Sequence, residues 1–215
     1  MGKKGWCLLV ALALCVAVGA PLAVFGWMDA AVLGRDTPIS TQTGKLAVSS
    51  SDLPLVEHIH NVLGETNAQE QSSRPATLEE MESGLSDFLS SGVLPQWVAD
   101  VWEQVCQTGV GTVTVTYGTD IISYEYNGTD GVSCSYTTDL ASGCVLGFQL
   151  YTKEEHTTSQ ERRQAVMERY IQYLGLDVLG DWVYNGNRYQ STEAQLFVNA
   201  LLEEDSGGFS IGVEL

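Results

Sequence analysis

An apolar run from Gly5 to Trp27 without a single charged side chain constrains this chain more than any other feature. As a helix it is long enough to cross a bilayer core of about 30 Å, and a helix satisfies all its own backbone polar groups there. Lys3 and Lys4 precede the run and Asp29 follows it. The positive-inside rule then puts the N-terminus in the cytoplasm and everything after Trp27 outside. A cleaved signal peptide is the rival reading, since it shares the basic start and the apolar stretch. However, Pro21 follows the small residues Ala17-Val18-Gly19-Ala20, which suits a signal peptidase poorly, and apolar residues continue to Trp27. Cys15 follows Leu12-Ala13-Leu14, whereas a lipoprotein signal needs a small residue directly before its cysteine. The preferred reading is a single-pass cell-membrane protein with an uncleaved signal anchor in residues 1–29.

Charge is distributed unevenly about this anchor. All 27 acidic residues but only eight of the ten basic ones follow Trp27, so the outer part carries −19. Such a surface repels nucleic acid and anionic lipid, and a phosphate site would need clustered cations. The nearest approach to a cluster, Arg162, Arg163 and Arg169, is interleaved with Glu161 and Glu168 and reads as a solvated helix face.

Residues 30–51 are rich in Thr, Ser, Gly and other small residues, without periodicity, and read as a flexible stalk reaching roughly 25 Å. Residues 52–215 form an extracytoplasmic α+β domain, helical over 52–108 and sheet plus helix over 109–215. Asp52-Leu53-Pro54 opens a first helix carrying Leu55, Val56, Ile59, Val62 and Leu63, and the polar stretch Glu65–Arg74 reads as loop. Thr77-Leu78-Glu79-Glu80 is a capping box for a second helix, with Leu78, Met81, Leu85, Phe88 and Leu89 as its apolar stripe. A third helix follows Pro95, burying Trp97, Val98, Val101, Trp102 and Val105.

The period then changes from 3.6 to 2, because Val113, Val115 and Tyr117 alternate with threonines. Loops at 127–131 and 139–143 predict a meander with Tyr126 opposite Val132, Tyr124 opposite Cys134, Cys134 opposite Phe148 and Tyr136 opposite Leu146. This register puts Ile122, Tyr124, Tyr126, Val132, Cys134, Tyr136, Cys144, Leu146, Phe148 and Leu150 on one face and Ser133, Ser135, Thr137 and Gln149 on the other. A capping box at Thr158–Glu161 opens a helix carrying Val166, Met167, Tyr170, Ile171 and Leu174, stopped by Gly175 and expected to pack on the apolar face. The tail suits a helix (Ala194, Phe197, Val198, Leu201, Leu202) or a strand. The strict alternation of Phe209, Ile211, Val213 and Leu215 favours a C-terminal hairpin. The predicted fold is thus an antiparallel β-meander sheet with helices on one face.

Chemical signatures are sparse. Glu57-His58-Ile59-His60 contains metal-ligating residue types, but residues two apart on a helix point about 200° apart, so one ion cannot be gripped by both histidines. His-Glu-x-x-His spacing, a Gly-x-Ser-x-Gly elbow and an Asp-x-Asp-x-Asp-Gly calcium loop are all missing from the sequence, as is any cofactor motif. Asn127, Asp130 and Asp139 read as turn residues. In the predicted register Cys134 and Cys144 lie about 13 Å apart, beyond the roughly 7 Å a disulfide tolerates, while Cys106 could bridge to either or all three could be buried thiols. Trp182 and Tyr184, flanked by Gly180, Asp181 and Asn185, are the aromatic pair expected to be partly exposed. They are the candidate partner-binding residues.

Asp139-x-x-Ser142-Gly143-x-Val145-Leu146 resembles the Asp-x-x-Thr-Gly-x-Val-Leu hairpin of PepSY-type and related small extracytoplasmic bacterial domains. The layout of basic start, anchor, stalk, helices, meander and Tyr-x-x-Tyr-Leu-Gly helix is similar to signal-anchored proteins of Gram-positive bacteria. The chain departs from PepSY order by placing a helix after the hairpin. The resemblance implies an extracytoplasmic domain and transfers no catalytic residue. The expectation is therefore a non-enzymatic accessory, sensing or protein-interaction module with an envelope protein partner, and the alternative is a cell-envelope hydrolase whose site is assembled from distant residues.

Overall fold

The computed structural model describes residues 49–64, 72–108, 110–153, 160–203 and 207–215. The predicted anchor, residues 30–48 of the predicted stalk and Thr158 of the predicted capping box lie outside them. Among the described residues no helix is long and apolar enough to cross a membrane.

Helix α1 (Pro54–Gly64) comes first, followed by strand β1 (Ser72–Ala76), α2 (Leu78–Ser90) and α3 (Gln96–Thr108). A meander follows: β2 (Gly111–Tyr117), β3 (Ile121–Gly128), β4 (Ser133–Asp139) and β5 (Val145–Tyr151). After α4 (Gln160–Tyr173) the chain makes β6 (Val183–Tyr184), β7 (Arg188–Ser191), β8 (Leu196–Glu203) and β9 (Gly208–Glu214). All nine strands join one antiparallel sheet in the order β1-β2-β3-β4-β5-β9-β8-β7-β6. Two meanders therefore meet where β5 pairs with β9. The α+β class, the antiparallel sheet and the C-terminal hairpin agree with the sequence reading.

Local chemistry accounts for the start of α2 and the end of α4. Thr77 Oγ1 accepts from the Glu80 N–H at 3.1 Å and Glu80 Oε2 accepts from the Thr77 N–H at 3.0 Å, so the predicted capping box of α2 is complete. Gly175, at φ +68°, stops the chain after α4 in a left-handed conformation that a side chain would disfavour.

The predicted strand pairing needs correction by two residues in both hairpins. Tyr126 faces Cys134, Tyr124 faces Tyr136, Cys134 faces Leu150 and Tyr136 faces Phe148. The turn after β3 is closed by Gly128 N–H donating to Val132 O, so Val132 belongs to the loop and not to the strand. The β4–β5 pairing contains a register shift within β4, between Thr137 and Thr138. A slip of two leaves the side chains within the strands on their predicted faces, because the strand period is two, while Val132 and Cys144, predicted as strand residues of the apolar face, lie in the loops, partly buried against the core. A second correction concerns residues 72–74, predicted as loop. They pair with β2 as an edge strand, where Pro75 is tolerated because an edge residue need not donate on both sides.

The apolar face carries the core. Phe88 of α2 meets Phe148 at 5.7 Å and Tyr170 at 6.1 Å, and Trp97 of α3 stands edge-on to Phe209 at 6.2 Å. The buried tyrosine hydroxyls are satisfied: Tyr136 donates to Met81 O at 2.7 Å and Tyr170 to Val145 O at 2.9 Å.

Helix α1 docks at one end of the sheet. His60 Nε2 donates to Ala194 O at 2.7 Å, and the Ser50 N–H and hydroxyl bond Glu193 at 3.0 and 3.1 Å. Ser50 and Ser51, predicted as the end of the stalk, thus lie in a 3-10 turn at Ser50–Asp52 that is tied to the domain.

An open sheet face with a glycine floor

The second face of the sheet is polar, and the register aligns its residues into rows. One row runs Thr116, Ser123, Thr137, Gly147, Gly212, Asn199 and Arg188 across seven strand positions. The next runs Thr114, Glu125, Ser135, Gln149, Ser210 and Leu201. None of these residues is buried. Hydroxyls pair across the strands, with Ser123 and Thr137 at 2.9 Å.

Gly147 and Gly212 face each other at the centre, where β5 meets β9. Neither has the positive φ that demands glycine. A Cβ built on Gly147 would meet nothing nearer than 4.0 Å, and one on Gly212 nothing nearer than 3.5 Å. Both positions could therefore hold a side chain. A glycine inside a strand costs roughly 0.5–1 kcal/mol relative to alanine, so folding does not explain the pair.

What the pair creates is a hollow of about 450 Å³, within the size range of ligand sites. Ser135, Thr137, Gln149, Asn199 and Ser210 line it together with Leu201, and Val62 and Leu63 of α1 border one end. Among the described residues Glu214 is the one charged residue of the lining, and its carboxylate already accepts from Asn199 Nδ2 at 2.6 Å. Arg188, in the same row, lies 4.0 Å over the Phe197 ring.

A buried carboxylate lies beside this hollow. Asp139 pairs with Ile121, which lines the hollow, and is 0 % exposed. Its Oδ2 accepts from the Ser142 N–H at 2.7 Å and from the Ser142 hydroxyl at 2.6 Å. Its Oδ1 has no hydrogen-bond partner and lies 3.8 Å from Nδ1 of His58, one helical turn before Val62. The Asp-x-x-Ser-Gly stretch thus fastens its own turn with one oxygen and presents the other to α1.

Neither the chain as a whole nor its fold has a match: no family model, curated protein or solved structure does.

The expected exposure of the sequence-predicted aromatic pair is corrected. Trp182 is 1 % exposed and donates through Nε1 to Leu176 O at 2.8 Å; Tyr184 is 7 % exposed and donates to Gly186 O. Asp181 is the physical reason. Its two oxygens hold the Ser191 hydroxyl at 2.8 Å and the Glu193 N–H at 2.7 Å, which folds this polar-looking segment onto the core. As folded, neither ring offers a surface to a partner. His58 and His60 are held by different loops, and among the described residues no group of three His, Cys, Asp or Glu could hold a metal ion. Cys106, Cys134 and Cys144 are free thiols, Cys134 buried and the others half-buried. Burial, aided by Glu82 and Glu103, pushes the Cys106 thiol up to about 11, and burial raises Cys134 further. These are poor nucleophiles.

The glycine floor is what the sequence reading missed. Its signal was present: Gly147 interrupts the alternation Leu146-Phe148, and Gly212 interrupts Ile211-Val213. Only the β5–β9 pairing shows that the two interruptions coincide.

Proposed function

We propose that this chain is a membrane-anchored extracytoplasmic binding module, an accessory, sensing or interaction domain of the cell envelope, which engages its partner through the open face of its sheet. The observation that carries this reading is the polar face, left open by the described residues, with its glycine-floored hollow. The anchor follows from the charge-free run Gly5–Trp27 and the two lysines before it. Photo-crosslinking residues placed at Gln149 and Leu201 test the face, with Glu79 on α2 as the control position. Adducts from the first two and not from Glu79 are expected in intact membranes; adducts from Glu79 alone, or from none, overturn the reading. Alkaline phosphatase fused after Leu215 tests the topology, because it folds to an active enzyme only outside the cytoplasm; an inactive fusion overturns the predicted orientation.

One observation favours the second reading, an envelope hydrolase: a half-exposed histidine facing a fully buried carboxylate oxygen that lacks a hydrogen bond. Drawn in from 3.8 Å to hydrogen-bond distance, the aspartate would hold the Nδ1–H and leave Nε2 to take a proton from water or a hydroxyl. Ser142 cannot be the nucleophile in this geometry, since its hydroxyl is spent on the same carboxylate. The hydrolase reading requires that His58→Gln abolish turnover of an envelope substrate by the purified full-length protein while leaving its thermal melt unchanged. Unchanged turnover would remove this pair from the reaction.

A further inference from the structure

From the glycine floor and the chemistry of its rim, we propose that the hollow on the open sheet face is a binding site for an uncharged saccharide. The inference rests on the binding-module reading and names the ligand of that same face.

The hydrogen-bonding inventory of the rim argues for this class. Ser135, Thr137 and Ser210 contribute hydroxyls, and Gln149 and Asn199 contribute primary amides. Each of these groups both donates and accepts. The hydroxyls of a sugar have the same dual character, so such a rim can satisfy a sugar presented in any hydroxyl orientation. Charged ligands find no counterpart. An anion would need cations, yet among the described residues no lysine or arginine lines the hollow, and the chain carries −17. A cation would need converging carboxylates, and Glu214 stands alone and bonded to Asn199. A peptide adding itself as a strand needs an unpaired edge, whereas β5 and β9 are paired on both sides.

The floor supports the same class. A pyranose ring presents flat C–H faces beside its hydroxyl edge, and two adjacent glycines let such a face lie against the sheet backbone. Leu201, 55 % exposed at the rim, adds an apolar contact for it. Since a Cβ fits at both glycines, filling the floor separates binding from folding.

The test is isothermal titration of the full chain in lipid nanodiscs with chitotriose, maltotriose and cellotriose, and with trigalacturonate as an anionic control. At least one neutral trisaccharide is expected to bind and trigalacturonate is not. Gly147→Val with Gly212→Val should weaken that binding by about tenfold or more while raising the melting temperature, because β-branched pairs suit a central strand position. Gln149→Ala, at an exposed position, should weaken binding with little change in melting temperature and gives the answer if the double variant fails to fold. Binding of none of the three neutral sugars, equal binding of trigalacturonate, or binding untouched by Gln149→Ala and by the valines overturns the proposal. Adducts that still form at Gln149 in membranes, with no sugar bound, would end the saccharide inference and leave the binding-module reading in place.

Discussion

At Gly84 a general propensity rule reverses its sign. In an exposed helix a glycine replaced by alanine gains up to about 1 kcal/mol. A Cβ on Gly84, however, would run into the Tyr136 hydroxyl. That ring cannot retreat cheaply, because its hydroxyl bonds Met81 O at 2.7 Å and its face stacks on Tyr124 at 5.2 Å. Gly84→Ala should therefore destabilise by roughly 1–3 kcal/mol, the usual cost of overpacking, in denaturant unfolding. Adding Tyr136→Phe removes the clashing oxygen along with the hydrogen bond. The double variant should thus be less damaged than the sum of the two singles. Cys106 offers a second test at this scale. With its thiol pushed up to about 11, the thiolate is scarce near neutrality. Alkylation by iodoacetamide at pH 8 should run roughly a hundredfold slower than for a free cysteine of ordinary pKa. A rate near that of the free amino acid would mean that Cys106 is more open than its packing indicates.

Among the elements, α2 shows how far a sequence signature carries. Its capping box was legible because Ser/Thr and Glu three residues apart act through bonds local to one turn. The structure adds Arg74 of the edge strand, which reaches Glu80 with both guanidinium nitrogens at 3.2 Å. That contact, the Thr77 N–H and the positive charge hold the Glu80 carboxyl below its usual 4.5. A depressed folded-state value means that stabilisation is present above the unfolded value and is lost as pH falls through the folded one. Glu80→Gln should accordingly flatten the decline in melting temperature between pH 5 and pH 2, by an amount that is small because both partners are exposed. Thr77→Ala, which removes the other half of the box, should cost about 1 kcal/mol at neutral pH in the same melts. The strands illustrate the opposite case. Alternation assigned their faces correctly, but loop boundaries set the register, and closing bonds such as Gly128 to Val132 are invisible in the pattern.

For the whole molecule, the dominant fact of composition is its charge. At −17 the chain repels itself, and among the described residues few ion pairs offset this. Raising NaCl from about 20 mM to about 500 mM shortens the Debye length from roughly 20 Å to roughly 4 Å and should raise the melting temperature by several degrees. An unchanged or lower value would mean that specific pairs outweigh the general repulsion. The sequence alone determined the properties that depend on neighbours within a few positions: the helices, the capping box of α2, the faces of the strands, and the acidic charge. It could not place residues whose surroundings come from far along the chain. Trp182 and Tyr184 looked exposed because their neighbours are polar, yet Asp181 uses that polarity to bond the 191–193 turn and pull both rings inward. His58 and Asp139 meet because α1 docks against the turn after β4. Gly147 and Gly212, 65 positions apart, become one floor only when β9 returns to pair with β5. Local physics sets what each segment is, whereas long-range strand pairing decides which segments share a surface, and the candidate site is a product of that pairing.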